Sequence, residues 1–143
     1  MYGPNDNYDL ENSHFIAAMI KKLVLAKTEG IIPVFWGSGK PRREAMYVED
    51  CADALIFLMQ NYDKPDIVNI GTGFDHTIAE YIQITSRILD YNGEIKWDSS
   101  KPDGMYIKQT DISRLKSIMS GYKARKFEEG VKIVLKEKFG IQT

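Results

Sequence analysis

Helical stripes of apolar residues alternate along this chain with short β-rich runs and glycine turns. The opening MYGPNDNYDLENS is rich in Asn, Asp, Gly and Pro and holds no sustained apolar period, so it reads as an irregular loop. Loops of that length usually carry function. Ser13 reads as an N-cap for a stripe of Phe15, Met19, Ile20, Leu23 and Val24 that runs until Gly30 stops it. Ile31 to Trp36 is a short strand candidate, GSGKPR is a turn, and Ala45 to Val48 offers a second strand, which together predict a hairpin-like pair.

Glu49 and Asp50 open a second helix with Cys51, Ala54, Leu55 and Leu58 on its apolar face, the acids sitting at the positive end of the helix dipole. Asn61 and Pro65 end it. A brief β-rich run, Ile67 to Ile70, stops at Gly71-Thr72-Gly73, and Thr77 with Glu80 forms a capping box that starts a helix through about Leu89. Gly93 to Trp97 predicts another strand, KPDG lies in a loop, Asp111 caps a helix of two to three turns, and Phe127 to Phe139 carries the last helical stripe. No internal repeat, low-complexity tract or linker interrupts this order, which predicts one α/β or α+β region over residues 1–143. The chain opens on a turn motif with no strand or helix before it, the expectation for a region cut from a larger fold.

Composition narrows the function classes. The 143 residues are 43% hydrophobic and 27% charged, ordinary for a globular domain. With 19 basic and 20 acidic residues there is no global field to recruit nucleic acid or an anionic membrane, although individual cations can still grip a phosphate. One cysteine excludes an internal disulfide, and with no secretory leader or long apolar run the expected setting is cytoplasmic. Cys51, set among apolar residues with no activating partner, reads as a small buried hydrophobe. His14 and His76 are too few and too far apart to build a metal site with that cysteine, so none is expected.

Several motifs stop short of their chemistry. Gly71-Thr72-Gly73 follows a β-rich run but lacks the third glycine that lets a helix N-terminus approach a pyrophosphate, so it reads as a strand-ending turn. Gly37-Ser38-Gly39-Lys40 imitates the end of a phosphate loop, yet Val34 stands where the first glycine belongs and Pro41 follows the lysine. Tyr122 and Lys126 have the spacing of a tyrosine-lysine acid-base pair, but they lie in a basic loop beside Gly121, where the spacing reads as coincidence.

Four segments, in this order, carry a resemblance: Tyr2-Gly3-Pro4 with Asp6-Asn7 and then Asn12-Ser13-His14; Trp36-Gly37-Ser38-Gly39-Lys40-Pro41-Arg42-Arg43-Glu44; Val68-Asn69-Ile70-Gly71-Thr72-Gly73; and Lys101-Pro102-Asp103-Gly104. Together they resemble the GDP-L-fucose synthase branch of the extended short-chain dehydrogenase/reductase family, along essentially the whole chain. The resemblance implies an α/β fold: the C-terminal substrate-binding part of such an enzyme, with peripheral Rossmann elements and most of the dinucleotide-binding domain absent. It implies NADP as cofactor, held largely by that absent half, a GDP-sugar as substrate, and a possible homo-oligomer.

Residue by residue, the resemblance assigns His14 as the catalytic acid that lies near the nicotinamide, and Met1 with His14 as the cofactor contacts. It assigns Lys22, Trp36, Arg43 and Asp103 to the substrate. The chemistry is consistent: imidazole donates a proton near neutral pH, guanidinium suits a pyrophosphate, indole packs on a sugar or base, and a carboxylate accepts from hydroxyl or amino groups. The helix after His14 reads Phe15-Ile16-Ala17 where relatives often carry a proline, and Ala45-Met46-Tyr47-Val48 replaces a bulkier aromatic and a histidine. Those changes keep apolar character and leave open another nucleotide-sugar epimerase or dehydratase, or a separate non-catalytic sugar-nucleotide binding module.

Overall fold

In the computed structural model, which describes residues 1–143, the order is α1 (Phe15–Glu29), β1 (Val34–Trp36), β2 (Arg42–Arg43), α2 (Val48–Asn61), β3 (His76–Thr77), α3 (Ile78–Ile88), β4 (Lys96–Asp98), β5 (Ile107–Lys108), α4 (Ser113–Ile118) and α5 (Phe127–Phe139). It is an α/β fold, as the alternation predicts. The helix stripes account for what is buried: α1 turns Ile16, Met19, Ile20, Leu23 and Val24 inward and ends at Gly30 with φ 72°. In α3, the Thr77 hydroxyl accepts from the Glu80 amide at 3.1 Å and the Glu80 carboxylate accepts from the Thr77 amide at 2.7 Å. Such a cap is worth about 1 kcal/mol.

The start of α1 differs from expectation. The Ala18 amide donates to the His14 carbonyl at 3.0 Å, so His14 and not Ser13 is the cap residue, and no side chain caps the helix. The Ser13 hydroxyl is buried without a partner, one residue too early to serve.

Two small sheets form. β1 pairs with β4 in parallel, Val34 opposite Lys96 and Trp36 opposite Asp98, while β2 is the centre of a three-stranded sheet, antiparallel to β3 and parallel to β5. The expected hairpin is therefore absent. Ala45, Met46 and Tyr47 are buried in succession at 6%, 6% and 1% exposure, the signature of chain passing through a core rather than of a half-buried strand. That stretch makes a single bridge, Tyr47 to Tyr2, before α2 begins. Ile67 to Ile70 forms no ladder either, because no strand of this chain lies beside it. The helix after Asp111 is shorter than expected, six residues from Ser113, although the Asp111 carboxylate does accept from the Ser113 amide at 2.9 Å.

The core gathers α1, α3, α5, β1 and the Tyr2 and Tyr47 strands of backbone. Tyr81 meets Phe127 edge-on at 4.5 Å, and Tyr2 lies 5.3 Å from Phe127 and 5.6 Å from Tyr47. Aromatic pairs of this geometry contribute about 0.5–1.5 kcal/mol each beyond their buried area. A glycine in mid-helix costs about 1 kcal/mol against alanine, and Gly130 in α5 is explained by this cluster: a Cβ there would run into the Tyr2 phenol and the Tyr47 ring. α2 contributes nothing to the cluster; its one buried residue is Ala54.

Candidate functional site

Sheet topology brings two distant loops together. Because β1 runs parallel to β4 and β2 runs parallel to β5, the turn from β1 to β2 and the loop from β4 to β5 must travel side by side. Ser38 in the turn fastens them: its amide donates to Asp103 Oδ1 and its hydroxyl to Oδ2, both at 2.6 Å. Those two donors hold the Asp103 carboxyl below its ordinary range. Gly37, at φ 75°, is required twice over, since a Cβ would strike the Asp103 carboxylate.

Around that clasp stand the other substrate candidates. Trp36 is 66% exposed, with the Lys101 ammonium 5.4 Å from its ring centroid. Arg43 donates through Nη1 to the Met105 carbonyl and to the Arg42 carbonyl, both at 2.7 Å, so its guanidinium is anchored beside the Lys101–Tyr106 loop. Arg42 takes a different role: its Nε and Nη2 donate to Asp75 Oδ1 at 3.0 and 2.7 Å, which ties the turn before β3 to β2. Lys22 reaches from α1 to the Val34 carbonyl at 2.7 Å and lies 5.5 Å from the Phe35 ring, and burial lowers its pKa. Its ammonium is thus tied to the edge of β1, against Phe35.

His14 and Met1 lie elsewhere. Met1 is 72% exposed and lines a cavity of about 780 Å³ with Met46, Cys51, Ile70, Met105 and Glu44 among its walls. His14 is exposed at the start of α1 and, like Arg43, forms no part of that cavity. Between them packs Tyr81, whose ring lies 6.2 Å from Phe15, the residue after His14, and whose hydroxyl donates to the Arg43 carbonyl at 2.8 Å; no side-chain contact joins His14 to Arg43. Cys51 is half-buried on the cavity wall instead of sitting in the core.

The residue that sequence reasoning missed is Glu44. Its Oε1 accepts from the Thr72 amide, the Thr72 hydroxyl at 3.0 Å and the Gly73 amide at 2.8 Å, and its Oε2 accepts from the Thr110 amide at 2.7 Å. Burial pushes this carboxyl up, but the four donors outweigh burial and hold it below its usual value. An acid at the entrance to the apolar run Ala45–Val48 was the available signal, since such a group must find donors. The same bonds settle the Gly71-Thr72-Gly73 turn: its amides are already spent on a carboxylate, so it is no pyrophosphate cradle. The Tyr122–Lys126 spacing is likewise structural. Tyr122 is outside any helix, donates to the Gly71 carbonyl at 2.7 Å, and is pushed up to about 12 by burial, the reverse of an activated phenol.

A family profile described as the NAD dependent epimerase/dehydratase family matches residues 1–71. The chain is 41% identical over 119 residues to GDP-L-fucose synthase 1 of Arabidopsis thaliana, covering 82% of this chain and 37% of that one. It is 45% identical over 117 residues to the GDP-L-colitose synthase of Yersinia pseudotuberculosis, covering 80% of this chain and 38% of that one. Among solved structures it superposes with a TM-score of 0.90 and 25% identity on a GDP-L-fucose synthetase from Naegleria fowleri bound to NADP, over 99% of this chain and 46% of that one. The chain belongs to the NAD-dependent epimerase/dehydratase family. Within it, the similarity runs to the GDP-L-fucose synthases, and the chain spans less than half the length of these relatives.

Proposed function

We propose that residues 1–143 form the substrate-binding, C-terminal region of an NADP-dependent enzyme that converts GDP-4-keto-6-deoxy-D-mannose to GDP-L-fucose. The observation that carries this reading is the convergence of Trp36, Arg43 and Asp103 on two loops that only the parallel pairings bring together. An exposed indole beside the Lys101 ammonium, with Arg43 anchored on the neighbouring loop, suits a nucleotide sugar: the ring packs on base or sugar, and the two cations serve the diphosphate. Asp103 shapes the pocket more than it contacts ligand, because Ser38 already engages both its oxygens.

A C4 ketone acidifies the protons on C3 and C5, so epimerisation needs a group that returns a proton to the opposite face. His14, exposed and free of side-chain hydrogen bonds at the helix start, is the residue for that step. NADP supplies the hydride that reduces C4 when bound. The residues here fit one end of it only: Met1 on the cavity wall and the exposed His14 are available to the nicotinamide, whereas the glycine turn on the cavity wall with Met1 is closed by Glu44. Residues 1–143 alone therefore bind the sugar nucleotide without turning it over.

Calorimetric titration of the chain with GDP, UDP and dTDP tests the reading. GDP should bind best, and R43A should weaken it by about ten- to a hundredfold, the worth of one charge-assisted hydrogen bond. Equal affinity for the three nucleotides, or turnover of keto sugar and NADPH by the chain alone, would sink it. The 45% identity to the GDP-L-colitose synthase favours a second reading, the same site serving another GDP-linked deoxysugar.

A further inference from the structure

We infer that Glu44 is a positioning residue: its carboxylate latches the Met105–Thr110 strand and loop to the Gly71–Gly73 turn and so fixes the carbonyl on which Arg43 rests. The inference rests on the proposed GDP-sugar site for its functional consequence and on the geometry alone for the latch. Three segments meet at this one side chain. Glu44 follows Arg43 on β2; Thr72 and Gly73 donate to one of its oxygens and Thr110 to the other. Between Arg43 and Thr110 runs β5, paired in register with β2 as Arg42 with Ile107 and Arg43 with Lys108. That pairing is two residues long, too short to hold a loop by itself. The Glu44 amide donates to the Lys108 carbonyl at 3.2 Å, which closes the ladder on the same residue. Upstream, Met105 offers its carbonyl to Arg43 and its side chain to the 780 Å³ cavity, whose wall also includes Glu44, Gly71 and Thr110.

Every group that Glu44 meets is a donor, and this decides the residue type. A carboxylate is acceptor-only and satisfies the three amides, and the Thr72 hydroxyl whenever its one hydrogen is not turned to the Phe74 carbonyl at 2.8 Å. Glutamine would turn an NH₂ toward either Thr110 or the turn, and aspartate is one methylene too short to span both. Gly71 completes the fit, because a Cβ there would press on Glu44 Oε1 and the Thr110 side chain.

Amide hydrogen exchange on the chain, followed residue by residue, tests the latch without any ligand. In the wild type, Thr72, Gly73 and Thr110 should exchange slowly and at matching rates, although all three lie outside helices and strands. Rates as fast as that of the Gly104 amide in the open loop would overturn the inference, and this arm needs no variant to fold. E44Q should speed exchange at Thr110 or at the Thr72–Gly73 pair by about ten- to a hundredfold while the amides of α1, α3 and α5 keep their protection. Uniform loss of protection across those helices would instead make Glu44 a general stability residue. Titration with GDP separates the two readings. Failure of the wild type to bind removes the GDP-sugar reading and leaves the exchange result to decide the latch. With wild-type binding established, E44Q should weaken GDP by about tenfold, and unchanged affinity alongside faster loop exchange would show that the latch positions nothing the ligand uses.

Discussion

Helices α2 and α3 are of similar length and both carry apolar stripes, yet they meet opposite fates. α3 buries Tyr81, Ile82, Ile84, Thr85 and Ser86, whereas α2 buries Ala54 alone and leaves Leu55, Ile56 and Met59 at 55%, 51% and 77% exposure. Ile67 beyond α2 is 82% exposed. What holds α2 in place is its acidic first turn: Asp50 accepts from the Arg125 amide at 2.7 Å, and the Arg125 guanidinium sits 4.3 Å over the Tyr47 ring and 3.4 Å from Glu49. An apolar stripe thus predicts a helix but not its partner. The face of α2 and the unpaired Ile67–Ile70 run both leave large apolar side chains exposed, the kind of surface that promotes self-association.

The largest effect that sharpens this contrast is at the centre of the packed half. Tyr81→Ala removes the ring that touches Phe127 and the hydroxyl that bonds Arg43, and should cost about 3–5 kcal/mol in urea unfolding. A loss near that of a surface substitution would dissolve the distinction. Acid unfolding probes the latch beside it. The folded pKa of Glu44 lies below its ordinary 4.5, so its stabilisation is complete above that value and is lost as pH falls through the lower, folded pKa. Stability measured by denaturant at stepped pH should decline below about 4.5, and the E44Q curve should be flatter in that window. Identical slopes would mean that Glu44 makes no such bonds in solution.

Thr77→Ala should cost about 1 kcal/mol, by removing one arm of the capping box while leaving every core contact intact. The smallest effect belongs to α2. Leu55→Ser should change stability by no more than about 0.5 kcal/mol while reducing self-association in sedimentation. If it cost as much as Tyr81→Ala, α2 would have to be packed in a way its exposure denies.

Local chemistry alone was enough for much of the fold. The stripe ending at Gly30, the Thr77–Glu80 box and the Phe127–Phe139 helix all rest on contacts within a few residues, and each stands where periodicity predicts. Trp36, Arg43 and Asp103 are named by the resemblance, and the parallel pairings carry their segments side by side. Pairing was not legible: Ala45–Val48 and Ile67–Ile70 have β-rich composition, but a strand exists only where another strand offers its backbone, and that depends on residues far away in sequence.

The sequence by itself therefore determined where the helices lie and the Thr77–Glu80 cap, because those depend on neighbours along the chain. Only the tertiary structure decided that Val34–Trp36 lies beside Lys96–Asp98, that Asp103 closes on Ser38, and that Glu44 draws three segments to one carboxylate. The reason is physical: a hydrogen-bond donor with many possible acceptors gains its partner only when the whole chain has packed.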